Sequence, residues 1–570
     1  GRGMSGFDLV IRNGTVVDGT GAPPFKADIA IVDDQIASIG PNLASGSEEI
    51  DAAGYIVTPG FIDIHTHYDG QVTWEDRLIP SSFHGITTAV IGNCGVGFAP
   101  CREAERGTLV RLMEGVEDIP HPVLTEGLSW NWTSFPDYLN LLASRAYDMD
   151  IAAYVPHAAL RVYVMGQRGA KRETASDADV VEMCRLLGEA LDAGALGLAT
   201  SRTMFHRSSD GQPIPTLDAS DAELIALAKV LRAKGKGVFQ IVEDIHMPGA
   251  SLHSMREIAK AAGRPLTFSI GTGNSGPYRW PALLEQLAEA NAEGLVMKGQ
   301  IMPRAIGMIL GFELTLNPFY TTATYGALSS LPLHDRLQEL RKPGTRAAIL
   351  TEPMDADPAL VLGRMVRDFE TMFVLGTTPD YEQPRTSSIA ALAKAKGCTP
   401  EELAYDIMVE GAQGGKLYLA MANYSEGSLD AVGQILEHPD IVLGLGDGGA
   451  HVGTICDASY STFALMHWVR DREKGRKTVE DIVHRMTGAT ADIIGLSDRG
   501  RLSPGRRADI NVIDLAGLAL SEPEVQYTLP AGGRRLIQRA SGYVATLIRG
   551  QVVSRNDQPT GQMPGRLVRI

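Results

Sequence analysis

The sequence predicts an α/β protein, a (β/α)8 TIM-like barrel carrying a small discontinuous β-sandwich formed by both chain ends. Three observations lead there. Through the middle of the chain short apolar runs alternate with helical stretches, the rhythm of a parallel sheet with crossover helices. At both ends apolar and polar residues alternate around Asn-Gly and Asp-Gly, as in hairpins with one wet face. The 570 residues are enough for one large barrel with attachments.

The opening stretches "FDLVIRNGTVVDGTG" and "ADIAIVDDQIASIG" read as antiparallel strands. Their texture returns only at "ADINVID" (508–514) and "GYVATLIRGQVVSRN" (542–556). A small sheet cannot bury its inner face alone, so residues 7–57 and 502–556 are expected to form one domain. The barrel then spans 58–501, with eight strands expected in "GFIDIHTH", "GITTAVIGNCG", "DIAAYVPHAALR", "GALGLATSR", "GVFQIVED", "PLTFSIGTG", "LVMKGQIMPR" and "IVLGLGDGGAH". Helical patterns such as "DADVVEMCRLLGEALDAG" and "DAELIALAKVLRAKGKG" lie between them and end in glycine, as helices often do. Two connections, at about 101–148 and 318–437, exceed ordinary loops. Both follow strands, so both are expected to roof the carboxyl ends where barrel sites lie.

Composition narrows the function. Acidic residues (68) outnumber basic ones (52), the net charge is −16, and no run of Lys or Arg would track a phosphate backbone, so no nucleic-acid partner is expected. No apolar stretch approaches the ~18–20 residues of a membrane span. The start lacks the pattern of a signal peptide, and Gly1–Gly3 before Met4 reads as an appended tag. The five scattered cysteines, Cys94, Cys101, Cys184, Cys398 and Cys456, suit a reducing cytoplasm better than a disulfide framework. The subunit count stays open, a homo-oligomer included.

The chemistry concentrates at expected strand ends. His65 and His67 stand two apart in "DIHTH", a spacing that puts both rings on one side of a strand. They read as a metal pair, or as two polar residues bonded to loops. Cys94 closes the second strand between glycines, as a thiolate ligand or as a small buried apolar residue. Asp447 closes the eighth strand in "DGGAH", beside the first in a closed barrel. There it can touch a metal and shuttle a proton from water to a leaving nitrogen, or simply form a turn before Gly-Gly. His451 either supports that group or caps a loop.

Together "PGFIDIHTH", "GNCG", "GALGLATS", "DGGAH" and "GRLSPGRRADINVID" make the chain resemble the amidohydrolase superfamily, within it the D-aminoacylase (N-acyl-D-amino-acid deacylase) group, over nearly its whole length. The resemblance implies a metal-bearing barrel with a split β-sandwich that hydrolyses an amide through metal-activated water. It implies His65, His67 and Cys94 as zinc ligands and Asp447 as catalytic aspartate. Two imidazoles, a thiolate and the Asp447 carboxylate would complete the shell of one zinc, with a second ion left open. The chain also departs from that group. On the fifth strand Gln240, and on the sixth Ser269 or Ile270, stand where the group carries metal histidines. The lysine that holds the substrate carboxylate there is absent from "IGTGNSG".

Replacement ligands are sought in Glu243, His157, Glu114 and Glu117, each with a structural role as the competing reading. A substrate carboxylate would need a cation, for which Arg161, Arg202, Lys298 and Arg304 stand at or near strand ends, while His206 follows the fourth strand. "GTGNSG" lacks the Gly-Lys-Ser/Thr ending of a phosphate loop and reads as a tight turn. Trp130 and Trp132 line a pocket or anchor the first insertion. The expected function is zinc-dependent hydrolysis of a C–N bond in an N-acyl amino acid or related small amide. The alternatives are hydrolysis of a peptide, lactam, cyclic imide or carbamate, and a non-catalytic barrel with a binding role.

Overall fold

A computed structural model describes residues 6–354 and 365–570; the first five residues, read above as carrying a tag, and 355–364, inside the second long connection, lie outside them. Eight strands run parallel in chain order: β1 Phe61–Asp63, β2 Ile86–Ile91, β3 Asp150–Pro156, β4 Gly197–Arg202, β5 Val238–Glu243, β6 Leu266–Ser269, β7 Met297–Ile301 and β8 Ile441–Leu443. Each lies within the stretch expected for it. The sheet curls until its edges meet beyond the strand ends. There Thr66 bridges Gly448 in parallel register, and the His67 N–H donates to the Gly448 carbonyl at 2.7 Å. This TIM-like barrel is filled by Ile62, Ile64, Val90, Tyr154, Leu196 and Val442, packed against Ala491, Ile493 and Ile494.

Both chain ends contribute to one nine-stranded sheet. Phe7–Val16, Phe25–Val32, Gln35–Gly40, Gly46–Asp51 and Ile56–Pro59 join Ile510–Ile513, Tyr543–Ile548, Gln551–Arg555 and Gln558–Pro559. The seam is antiparallel, with Val57 opposite Val512, and the buried face carries Ile11, Ile29, Val57, Ile510 and Leu547. These strands form one hydrogen-bonded sheet, in which Gly46–Asp51 branches off Phe7–Val16 beside the main order, where the sequence predicts a sandwich. Period-two alternation marks strands and buried faces; it does not say how many sheets they enter. Beyond residue 559 the chain returns to the barrel, where Gly565 and Leu567 bridge Tyr147 and Ile151.

The first insertion holds α1 Arg106–Glu117, α2 His121–Gly127 and α3 Phe135–Ala143. Ser134 starts α3 with a capping box shared with Asp137, which satisfies amide donors that a helix start leaves free. The aromatic stretch ahead of it packs onto the barrel, the Trp132 Nε1–H donating to the Phe98 carbonyl at 2.8 Å. The second insertion contains an antiparallel sheet of Ile306–Leu310, Leu417–Ala422 and Met372–Phe373 around its own core of Phe312, Phe319, Leu337 and Tyr405. It thus begins at Ile306, ahead of the expected 318; a run as short as "IGMIL" carries no period that assigns it to a sheet. Among the described residues no helix is long and apolar enough to cross a membrane.

Candidate metal centre

The local chain sets each donor in place. β1 ends at Asp63, whose carboxylate accepts the His65 N–H at 3.0 Å; this local side-chain bond competes with the ladder and ends the strand. Both histidines therefore lie past the strand, and their convergence comes from this turn and from the Thr66 bridge, not from strand alternation. The Thr66 hydroxyl donates to the Val90 carbonyl at 2.7 Å, and Asn93 Nδ2 donates to Thr66 and Val90. The first two strand-end loops are thereby tied together.

Cys94 sits just past β2 at φ +61°, between Gly92 and Gly95, which also have positive φ. A Cβ on Gly92 would lie 2.4 Å from the Tyr154 carbonyl oxygen, so glycine is required there. Asp447 and His451 are left-handed as well, both at φ +51°. Such residues cost on the order of 1–3 kcal/mol each and cluster at functional sites.

His65 Nε2 lies 3.3 Å from Cys94 Sγ and 3.4 Å from Asp447 Oδ1. His67 Nε2 is 3.2 Å from the same Asp447 oxygen. The donor atoms of His65, His67 and Cys94, all buried, fall within 4.8 Å of one another. The opposite ring nitrogens face other elements. His65 Nδ1 is 3.2 Å from Gln300 Oε1 on β7, and His67 Nδ1 is 3.3 Å from Glu117 Oε1 at the end of α1. His451 Nε2 stands 3.3 Å from Glu117 Oε2 and 3.9 Å from Asp447 Oδ2. On β5, Gln240 Oε1 accepts the Cys94 N–H at 2.8 Å.

Burial lowers His65 to about 4 and His67 to about 3, so both rings are neutral near pH 7 with lone pairs available. Burial also pushes the Cys94 thiol well up, helped by Glu117, Asp447 and Asp69. Glu117 is raised by burial and then by Asp447 and Asp69, and burial brings Asp69 to about 7. The charges acting on Cys94 and Glu117 are all acidic. Neutral imidazoles, a thiol and carboxylates gathered without a Lys or Arg among the described residues make a donor set that suits zinc, binding of which releases the thiol proton.

The other sequence candidates are placed differently. His157 sits between Thr200 and Glu223, both at 2.7 Å, and Arg161 pairs with the same Glu223. Arg202 donates to Glu243 at 3.0 Å and to Asp221 at 2.7 Å. Lys298 meets Asp440 at 2.6 Å. Arg304 meets Asp457 at 2.7 Å and lies 4.1 Å over the Tyr381 ring. Among the described residues none of the hydrogen bonds or ion pairs of His157, Arg161, Arg202, Glu243, Lys298 or Arg304 reaches His65, His67, Cys94 or Asp447. A buried cation must offset its desolvation with a nearby acid, and sequence spacing cannot show which acid packing supplies.

His206 lies closer. Its Nδ1 is 2.7 Å from Ser201 Oγ, and burial lowers it to about 3 together with the fields of His67, His451 and His65. Glu114 faces away and accepts the His121 N–H at 2.8 Å, whereas Glu117, one turn on, points inward. Asp69 and Gln300 escaped the sequence reading. Asp69 continues the two-residue spacing of His65 and His67, a readable signal; Gln300 meets His65 only through barrel closure and leaves none.

Residues 48–554 match the profile of the amidohydrolase family. D-aminoacylase of Alcaligenes xylosoxydans xylosoxydans is 26% identical over 566 residues, covering 99% of this chain and 97% of its own. N-acyl-D-glutamate deacylase of the same organism is 28% identical over 516 residues, covering 89% and 87%. The crystal structure of N-acyl-D-glutamate deacylase from Bordetella bronchiseptica, complexed with zinc and a phosphonate inhibitor, matches with a TM-score of 0.62 at 24% identity, over 99% of this chain and 100% of that one. At that identity the structural likeness speaks for the fold.

Proposed function

Because the chain belongs to the amidohydrolase family, we propose that it hydrolyses a C–N amide bond in an N-acyl amino acid or related small amide, with one zinc held by His65, His67 and Cys94. One observation carries this reading. A single carboxylate oxygen, Asp447 Oδ1, lies 3.4 and 3.2 Å from the two imidazoles, so the proton carrier and the donors face one point.

Zinc bound there would polarise the amide carbonyl and lower the pKa of water toward ~7. Asp447 accepts the proton of the attacking water and returns it to the amide nitrogen, which leaves readily only when protonated. Its loop is fixed for this, the Gly448 and Gly449 carbonyls accepting from the His67 N–H and from Gln71 Nε2, both at 2.7 Å. Gln300 holds the His65 ring in the orientation that turns Nε2 toward Cys94. A single ion is favoured because β5 offers Gln240, whose oxygen already accepts from Cys94, and β6 ends at Ser269, followed by apolar, buried Ile270.

A second substrate reading has its own support. Arg161, Arg202, Lys298 and Arg304 each pair with a protein carboxylate, and the groups around Cys94 are acidic. That favours an uncharged peptide, lactam, cyclic imide or carbamate over a carboxylate-bearing amide, and turnover of matched substrates with and without a carboxyl group separates the two.

Metal analysis should find about one zinc per chain, with activity lost on chelation and restored by zinc. Asp447→Asn should lower kcat by about 10²–10⁴-fold with zinc content nearly unchanged. Activity indifferent to chelation, or Asp447→Asn turning over within tenfold of the parent, refutes the assignment.

A further inference from the structure

Glu117 occupies a position that elementary electrostatics disfavours for a carboxylate. It is the last residue of α1, where the helix dipole opposes negative charge. It is 1% exposed, and the charges that bear on it belong to Asp447 and Asp69. Its Oε2 and His67 Nδ1 are both buried without a hydrogen bond. Yet Glu117 lies between two imidazoles, Oε1 at 3.3 Å from His67 Nδ1 and Oε2 at 3.3 Å from His451 Nε2.

The backbone around it is anchored. The His451 N–H donates to the Glu117 carbonyl. Asp118, left-handed at φ +47°, accepts from the Gly453 N–H at 3.2 Å and from Thr315 Oγ1 at 3.0 Å. The end of α1 is thus held against the 447–453 loop and against the start of the second insertion.

We propose that Glu117 is a positioning residue: its carboxylate orients the His67 and His451 rings and couples the first insertion to the metal-binding edge of the barrel. The inference rests on the zinc reading above. An imidazole that offers Nε2 to a cation keeps its proton on Nδ1, and a carboxylate at Nδ1 selects that tautomer and fixes the ring. His65 meets a neutral amide, Gln300, at the equivalent nitrogen; His67 meets an acid carried by a different part of the chain.

The test compares Glu117→Gln and Glu117→Ala with His65→Ala. Zinc affinity is measured by chelator competition, kcat and KM on a turned-over amide, and the thermal midpoint on metal-free protein. Glu117→Gln keeps the shape of the side chain should Glu117→Ala fail to fold. The expected result is zinc affinity weakened about 10–100-fold in the Glu117 variants, kcat reduced with KM little changed, and a metal-free midpoint for Glu117→Gln no lower than the parent's. Zinc affinity and kcat within threefold of the parent for Glu117→Gln, or a lowered metal-free midpoint as its only effect, overturns the positioning role. If His65→Ala loses zinc while Glu117→Gln retains it, Glu117 alone is refuted. If His65→Ala retains zinc, the zinc reading falls and the positioning role falls with it.

Discussion

Glu223 accounts for two residues that sequence alone places near the metal or the substrate. Its oxygens take His157 Nε2 at 2.7 Å and Arg161, and all three side chains are buried. Burial alone would raise its pKa, but the hydrogen bond to His157 and the charge of Arg161 outweigh it and hold Glu223 at about 2. Glu223→Gln leaves Arg161 buried beside a neutral amide and should cost about 3–5 kcal/mol, with kcat/KM per folded molecule unchanged. The pH dependence follows from the depressed value. The unfolded carboxylate takes its proton first, so the stabilisation is complete above about 4.5 and is lost as pH falls toward about 2. Denaturant unfolding at several pH values should show parent and variant converging across that window. A raised KM with stability intact would return His157 and Arg161 to the substrate. At this scale the donors are legible in sequence, since a two-residue spacing and glycine-flanked strand ends are local patterns; the partner of a buried arginine is not.

At the scale of elements, the length of the first insertion is legible and its docking is not. α1 approaches the loop after β4 backbone to backbone: a Cβ on Gly115 would lie 2.2 Å from the Ser208 carbonyl carbon and 2.3 Å from the Arg207 oxygen. The Ser209 N–H donates to the Arg111 carbonyl at 2.9 Å across the same contact. Alanine is the better helix former by about 1 kcal/mol, so an unpacked helix would gain from Gly115→Ala. Here the substitution should instead cost roughly 1–3 kcal/mol by overpacking and, by displacing Glu117, weaken zinc binding. Thermal unfolding together with chelator competition checks both effects, and a stabilised variant with unchanged affinity would deny the close approach. An amphipathic pattern shows that a helix buries a face, without showing which loop receives it.

At the scale of the molecule, Asp150 joins the barrel to the terminal sheet. It opens β3 at the amino end of the barrel and accepts from Arg499 at 2.7 Å, from Arg507, and from the Arg566 N–H at 2.8 Å. Asp150→Asn leaves the buried Arg499 with Asp498 alone and the half-buried Arg507 with Asp509 alone, and the weakened charged hydrogen bonds should destabilise the protein by roughly 1.5–3 kcal/mol. Because Asp150 and the metal centre lie at opposite ends of the strands, zinc content and kcat of the folded fraction should not change. Calorimetry with metal analysis tests this, and lost zinc at full stability would show the two ends to be coupled.

The amino-acid order by itself determined the eight barrel strands and the contribution of both chain ends to a shared sheet. It also marked His65, His67, Cys94 and Asp447 as one group. Hydrophobic period and turn chemistry depend on residues a few positions apart, so they survive in a linear reading. Tertiary structure alone decided that the end strands enter one sheet, that four cations face protein acids, and that Glu117 and Gln300 reach the two histidines. These outcomes depend on residues far apart in the chain, and desolvation makes each buried charge take the partner that closure of the fold brings near.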